Sequence, residues 1–290
     1  MITCKLCGGL GNQLFQIFTT IVYAVKYSKP FFFLNNYQLG DGSNGSTIRY
    51  TYWDTFLISL KPFLKNKNQI PKLTIISEKD FVYQEIQKRE GNYGILLVGY
   101  FQRPKYYNNY KEFICKLLKI DLKKMLVKNK VKINFDKIHS ISMHFRFGDY
   151  KFYPNLYTLL PEEYYKNALN IIVNQIKTCE IENTKEKMVL YFCENDSILE
   201  VEEIINNLKI HFSEVIFIRA DFGLEDWEQM LLMSLCEHNI IANSTFSWWG
   251  AYLNSNVEKM VCYPEEWFSP KANKDASDLF LEDWIKIPLK

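Results

Sequence analysis

Between residues 136 and 290 short β-branched and aromatic runs alternate with longer runs of helical periodicity, and this constrains the fold more than any other feature of the chain. Strands are expected at 141–145, 188–193, 215–218, 239–242 and 260–263. Helices are expected at 161–177, 197–208, 224–236 and, briefly, 247–253. Pro161 followed by Glu162 and Glu163 is a favourable helix opening, because proline tolerates the first turn and carboxylates meet the positive end of the helix dipole. Strands separated by helices of this length indicate a parallel sheet covered on both faces, so 136–290 reads as one doubly wound domain.

The first half is less regular. A strand over 2–7 leads through glycines into an amphipathic helix whose apolar face is Leu14, Phe15, Phe18, Ile21, Val22 and Val25. A second strand is expected at 31–34, an exposed loop at 40–46, a strand at 95–98 and a helix at 105–120. The lysine-rich stretch 122–132 reads as a linker or a solvated helix. We divide the chain near residue 135, into domains 1–135 and 136–290.

A chain of 290 residues that is 48% hydrophobic has ample core for one large or two ordinary domains. The net charge of +2 makes no electrostatic case for nucleic acid or a membrane surface, so any basic site must be local. Seven cysteines lie scattered with no Cys-x-x-Cys pair, and Cys115, Cys193, Cys236 and Cys262 sit in apolar runs. This fits reduced, mostly buried thiols and a cytoplasmic protein, and the four histidines show no metal-ligand spacing. No apolar stretch reaches membrane-spanning length, and the N-terminus lacks the pattern of a signal peptide. Sequons occur at Asn44, Asn195 and Asn243; a glycan on the last would obstruct a candidate site.

Four segments carry candidate chemistry. His144-Phe145-Arg146-Phe147-Gly148-Asp149-Tyr150 follows a strand-like run and ends it in charge. Arg146 offers a planar fork suited to carboxylate or phosphate, and Gly148 lets the backbone turn; the competing reading is a structural Arg–Asp pair. Gly8-Gly9-Leu10-Gly11-Asn12-Gln13 follows a strand and opens a helix, presenting backbone N–H groups to an anion or a sugar hydroxyl. It is a poor dinucleotide fingerprint, since Leu14 takes the third glycine position and Asn35 and Asn36 stand where an acid belongs. It can equally be a tight turn that packs the helix. Asn243-Ser244-Thr245-Phe246-Ser247 likewise joins a strand to a helix, with hydroxyls for a cap or a diphosphate and with Phe246, Trp248 and Trp249 able to pack in the core. Cys193-Glu194-Asn195-Asp196 ends another strand, where a carboxylate accepts from ribose or guanine or simply caps a helix. His144, Glu194 and Ser244 would then share the carboxyl edge of one sheet, the usual ligand crevice of an open α/β fold. No Asp-x-Asp pair is present to chelate a metal there.

At Gly8–Gln16, His144–Tyr150 and Leu232–Ala251, with Tyr263-Pro264 and Trp267, the chain resembles the α-1,2-fucosyltransferases of glycosyltransferase family eleven. The blocks come in the family's order and span nearly the whole chain. The resemblance implies an α/β fold of GT-B type: two Rossmann-like domains with an interdomain cleft, the first on the acceptor side and the second binding the nucleotide sugar. It implies inverting, metal-independent transfer of L-fucose from GDP-fucose to a glycan hydroxyl, typically the galactose 2-OH. GDP-fucose would be a donor substrate; no cofactor is implied. By the family's pattern His144 and Arg146 belong to the donor site, with Arg146 on the β-phosphate. Ser244, Thr245 and Ser247 would hold the diphosphate, and Asn12 would reach the donor from the first domain. Gly9, Gly11, Glu194, Asn195, Asp196, Asn243 and Phe246 complete the candidate donor set, and Asp149 or His144 would be the base. The chain departs from the family where Phe147 replaces a second arginine, where Cys193-Glu194-Asn195 replaces Ser-Asp-Asp, and at Gln229, usually an acid; Asp226 and Glu228 lie nearby to substitute. The alternatives are a transferase of another deoxyhexose or nucleotide donor and an inactive glycan-binding relative.

Overall fold

The structure, a computed structural model, describes residues 1–39, 48–79, 81–89, 91, 93–179 and 185–290. The loop expected at 40–46, with Asn44, lies outside them. The chain divides into two compact units, Met1–Leu122 with Asp275–Leu281, and Lys123–Lys274 with Glu282–Lys290. The division falls ahead of residue 135, and a short C-terminal segment returns to the first unit.

The first unit is built on a parallel three-stranded sheet, ordered β1 (Ile2–Cys4), β7 (Gly94–Val98), β6 (Leu73–Ser77). A parallel bridge from Ile2 to Phe31 continues it towards the parallel pair β2 (Phe33–Leu34) and β5 (Leu64–Lys65). The strands β3 (Gln38–Leu39) and β4 (Arg49–Tyr50) form a separate antiparallel pair. Helix α1 (Leu10–Lys26) is not the one-faced helix that its periodicity suggests. It is buried on nearly every side from Leu10 to Ala24, and only towards Lys26 does it emerge, leaving Val25 of the expected apolar face exposed. The helix expected over 105–120 is broken: two 3-10 turns precede α2 (Lys111–Leu117), and Lys119 adopts a left-handed φ of 55°, which ends it.

Helix α3 (Ile120–Val131) occupies the lysine-rich stretch, resolves it as helix and leads into the second unit, which begins at Lys123. Then follow β8 (Ile138–His144), α4 (Glu162–Cys179), β9 (Glu186–Phe192), α5 (Ile198–His211), β10 (Val215–Arg219), α6 (Asp226–Met233), β11 (His238–Ile240), α7 (Thr245–Leu253), β12 (Val261–Pro264) and β13 (Ile285–Ile287). All pairings are parallel, in the order β10-β9-β8-β11-β12-β13. Counted from β8 this is 3-2-1-4-5-6, the doubly wound order, whose direction reverses between β8 and β11. One face buries Ile141, Met143, Phe145, Tyr164, Tyr165, Leu169 and Val189 in a continuous cluster with α4 and α5. Trp248 and Trp249 of α7 are fully buried, so these two aromatics belong to the core. Of the cysteines, Cys4, Cys236 and Cys262 are buried, whereas Cys115 and Cys193 are only half-buried.

Helices α6 and α7 meet at Gly250, where an added Cβ would stand 2.8 Å from Met233 Cβ and 3.3 Å from the Met230 carbonyl oxygen. Gly250→Ala should therefore lower the unfolding free energy by about 1–3 kcal/mol, as overpacked cores do. Urea denaturation measures it; an unchanged midpoint would show that the two helices separate freely.

Candidate active site

Strand register assembles the second unit's site. His144 of β8 stands opposite Phe192 of β9, and Met143 stands opposite Ile240 of β11. The Phe145 N–H still donates to the Phe192 carbonyl at 2.8 Å. Continuing the same register past the strand ends places Arg146 between Glu194 and Asn243, at the switch point of the sheet. Side chains this close across parallel strands interact directly.

The Arg146 guanidinium donates through Nη2 to Asp149 Oδ1 at 2.6 Å and through Nη1 to Glu194 Oε1. The structural Arg–Asp pair is thus present, and a second carboxylate completes it. The guanidinium carbon also lies 5.0 Å from the Tyr150 ring centroid. Tyr150 stacks on Tyr157 at 3.8 Å and donates its hydroxyl to the Asn243 carbonyl at 3.0 Å, tying the Arg146 turn to the loop before α7. Gly148 sits at φ +20°, and an added Cβ would fall 2.4 Å from Glu194 Oε2, so only glycine lets the turn close on that carboxylate. The Gly148 N–H donates to the Ser197 hydroxyl at 3.2 Å, and that hydroxyl donates to Asp196 Oδ1 at 2.8 Å. Asn195 Oδ1 accepts from Arg219 at 3.0 Å. Phe147 packs into the sheet's core cluster beside Phe145, so this position is hydrophobic core.

His144 is buried, and burial, reinforced by the Arg146 charge, pushes its pKa down to about 3. Its imidazole is therefore neutral at physiological pH. Its ring lies 5.7 Å from that of Phe246. Ser244 caps α7, its hydroxyl accepting from the Phe246 N–H at 3.4 Å, and Ser247 donates back to the carbonyls of Ala242 and Ser244. Both hydroxyls thus do structural work as well, while Thr245 stands half-buried in the first turn. The Asn243 amide nitrogen is committed to the carbonyls of Thr158, at 2.9 Å, and Trp267. Among the described residues, buried polar atoms here without a hydrogen-bond partner are His144 Nδ1, Arg146 Nε, Glu194 Oε2 and Asn243 Oδ1. Unmatched donors and acceptors at one sheet edge are what a ligand carrying phosphate oxygens and N–H or hydroxyl groups would satisfy. Glu228, the nearby acid, instead completes a capping box with the Glu225 N–H at 3.1 Å and binds Lys130, and Asp226 accepts from the Trp227 N–H. Neither acid stands free to replace one at Gln229.

In the first unit Gly9 caps α1 through backbone alone, with no side-chain bond at the N-terminus. Gly8 has φ +78°, and a Cβ there would strike Asn12 Nδ2 at 2.4 Å. Asn12 Oδ1 accepts from Gln102 Nε2 at 2.9 Å, while Gly11 is buried in the first turn. Gln13 holds the carbonyls of Gly8 and Tyr50, and Gln16 holds Cys7 and the Gly99 carbonyl. These amides staple the loops after β1 and β7 together. Sequence reading named Tyr150 only as the end of its segment, without a role, and missed Gln102 and Tyr157; an amide and a tyrosine in loops are a signal that ordinary loops share.

Residues 54–288 match the profile described as "Glycosyl transferase family 11". Over 99% of its length the chain is 26% identical to the O-antigen biosynthesis glycosyltransferase WbnK of Escherichia coli, all of which is covered. It is 24% identical, over 99% of each chain, to an alpha-1,2-colitosyltransferase of Escherichia coli. Among solved structures it is similar to a mutant of Arabidopsis thaliana FUT1 in complex with GDP, at 13% identity and a TM-score of 0.45, covering 93% of this chain and 71% of that one. It is also similar to the fucosyltransferase NodZ from Bradyrhizobium, at 12% identity and a TM-score of 0.44, covering 87% and 91%. The family match takes in β8, β9, β11 and α7, the elements that build the site around Arg146, and so the chain belongs to glycosyltransferase family 11.

Proposed function

We propose that this chain transfers L-fucose from GDP-fucose to a hydroxyl of a galactose-containing glycan, most simply the galactose 2-OH, with inversion and without a metal ion or cofactor. The observation that carries the reading is Arg146 at the switch point of a 3-2-1-4-5-6 sheet, beside the N-terminus of α7 and the unmatched atoms of His144, Glu194 and Asn243. Breaking the anomeric C–O bond leaves its electron pair on the leaving GDP. A guanidinium with oriented hydroxyls and N–H groups stabilises that charge where it develops. The donor diphosphate would take the place of Glu194 on the fork of Arg146, and the released carboxylate would accept from guanine or ribose. Ser244, Thr245 and Ser247 would supply hydroxyls and the start of α7 its dipole. Neutral His144 can hydrogen-bond to the donor, but a group with a pKa near 3 is a poor proton acceptor, which leaves Asp149 as the candidate base. Gly9, Gly11 and Asn12 are proposed as further donor contacts, and the cytoplasm is the proposed compartment. A second reading, a different sugar on the donor, is favoured by the relative that is an α-1,2-colitosyltransferase.

Calorimetry with GDP, UDP and GDP-fucose, followed by turnover with galactosides, tests the donor. GDP binding without UDP binding is expected, and absence of GDP binding would sink the reading. Arg146→Ala should cut transfer by at least ~100-fold, as loss of one oxyanion-type donor does, while circular dichroism shows the fold intact; near-normal transfer removes the phosphate role. If His144 stays neutral, the ratio of His144→Asn to wild-type rates is constant from pH 5.5 to 8. A sigmoidal change centred near 6.5 contradicts this. Transfer should also survive EDTA, and inhibition reversed by Mn²⁺ would refute the metal-free mechanism.

A further inference from the structure

Helix α3 is built inside out. Ile120, Lys123, Lys124, Val127 and Val131 form its inward face, with Lys123 and Lys124 each only 7% exposed. Lys124 has a reason to point inward: its Nζ donates to the Leu253 carbonyl at the C-terminus of α7, where a cation also meets the negative end of the dipole. The opposite face carries Leu122, Met125 and Leu126 at i, i+3 and i+4, exposed by 48%, 52% and 49%. Nothing among the described residues accounts for three large apolar side chains in water while two lysines are buried one turn away. Where a local pattern is broken in this way a functional surface is expected.

Charge singles out what that surface meets. From Lys119 to Lys132 the sequence holds six lysines and one aspartate, Asp121, against a net charge of +2 for the whole chain. Lys128 and Lys132 follow on one side of the apolar stripe, and Lys130 stands on the other. Lys130 pairs with Glu228, and Lys128 approaches Asp136 only at 4.0 Å; among the described residues Lys119 and Lys132 make no ion pair. Twelve residues make about 18 Å of helix, too short to cross a bilayer and suited to lie along its surface.

We propose that the outward face of α3 docks this protein on an anionic phospholipid surface. Leu122, Met125 and Leu126 enter the headgroup–acyl boundary, and Lys119, Lys128 and Lys132 meet lipid phosphates. A second copy of the chain is the poorer occupant, because a two-fold contact across this stripe would set like lysine flanks against each other. The proposal is independent of the donor and acceptor of the reaction.

Co-sedimentation with vesicles tests it, comparing phosphatidylglycerol–phosphatidylcholine mixtures with phosphatidylcholine alone. The intact chain should bind the mixed vesicles, less so as salt rises. Met125→Glu with Leu126→Glu, and separately Lys128→Glu with Lys132→Glu, should each weaken binding by about tenfold or more, the scale expected of two lost anchors. These residues are exposed, so the melting midpoint and transfer to a soluble acceptor should stay unchanged. Failure to bind, equal binding to neutral vesicles, or unimpaired binding by both variants overturns the proposal. So does a concentration-dependent dimer that the Met125→Glu, Leu126→Glu variant dissolves, which would make the stripe a self-interface.

Discussion

The second unit depends on the register of β8 between two parallel neighbours. Pairing His144 with Phe192 and Met143 with Ile240 fixes where the chain leaves the sheet on three strands at once. Because the pairing is parallel, all three leave at the same edge. Shifting β8 by one residue would turn Ile141 and Met143 out of the core and send Arg146 to the wrong face. The same burial that holds the core therefore aims the guanidinium at Glu194.

Electrostatics at this edge follow from that placement. Arg146 is half-withdrawn from water and compensated by two carboxylates, a pairing that a buried cation needs. The arrangement also lowers the proton affinity of His144, since its imidazole is buried beside a fixed positive charge. A neutral histidine and an arginine on adjacent alternate positions of one strand end are thus a coupled unit. The unit is braced by Tyr150, which spans from Arg146 to the loop of Asn243. Gly148 is what allows the brace to close.

Much of this was legible without coordinates. The alternation of strand and helix after residue 136 predicted the parallel sheet, and the ends of three runs marked His144, Glu194 and Ser244 for one edge. Element ends were less legible: α6 is shorter than its apolar run, and the stretch over 105–120 breaks where Lys119 turns left-handed. Helix α1 misled because its polar residues, Gln13, Gln16, Thr19 and Thr20, are themselves buried, the amide nitrogens of Gln13 and Gln16 donating to loop carbonyls far along the chain. Phe147 looked like a cation lost from the site, yet its side chain lies in the core. Side-chain direction at a strand end depends on a backbone turn that no local pattern encodes.

The sequence by itself determined the local elements, since hydrophobic period, caps and glycines act over a few residues. It also determined the chemistry available: one arginine, a flanking histidine, several carboxylates and hydroxyls at strand-to-helix turns. Only the tertiary structure decided the strand order, and with it that β8 and β11 are neighbours at a switch point. It likewise decided that Glu194 closes on Arg146, that Gln102 reaches Asn12 across 90 residues of chain, and that α3 turns Lys123 and Lys124 inward. These are pairings between distant segments, set by which packing of the whole unit buries the most apolar surface with the fewest unpaired polar groups.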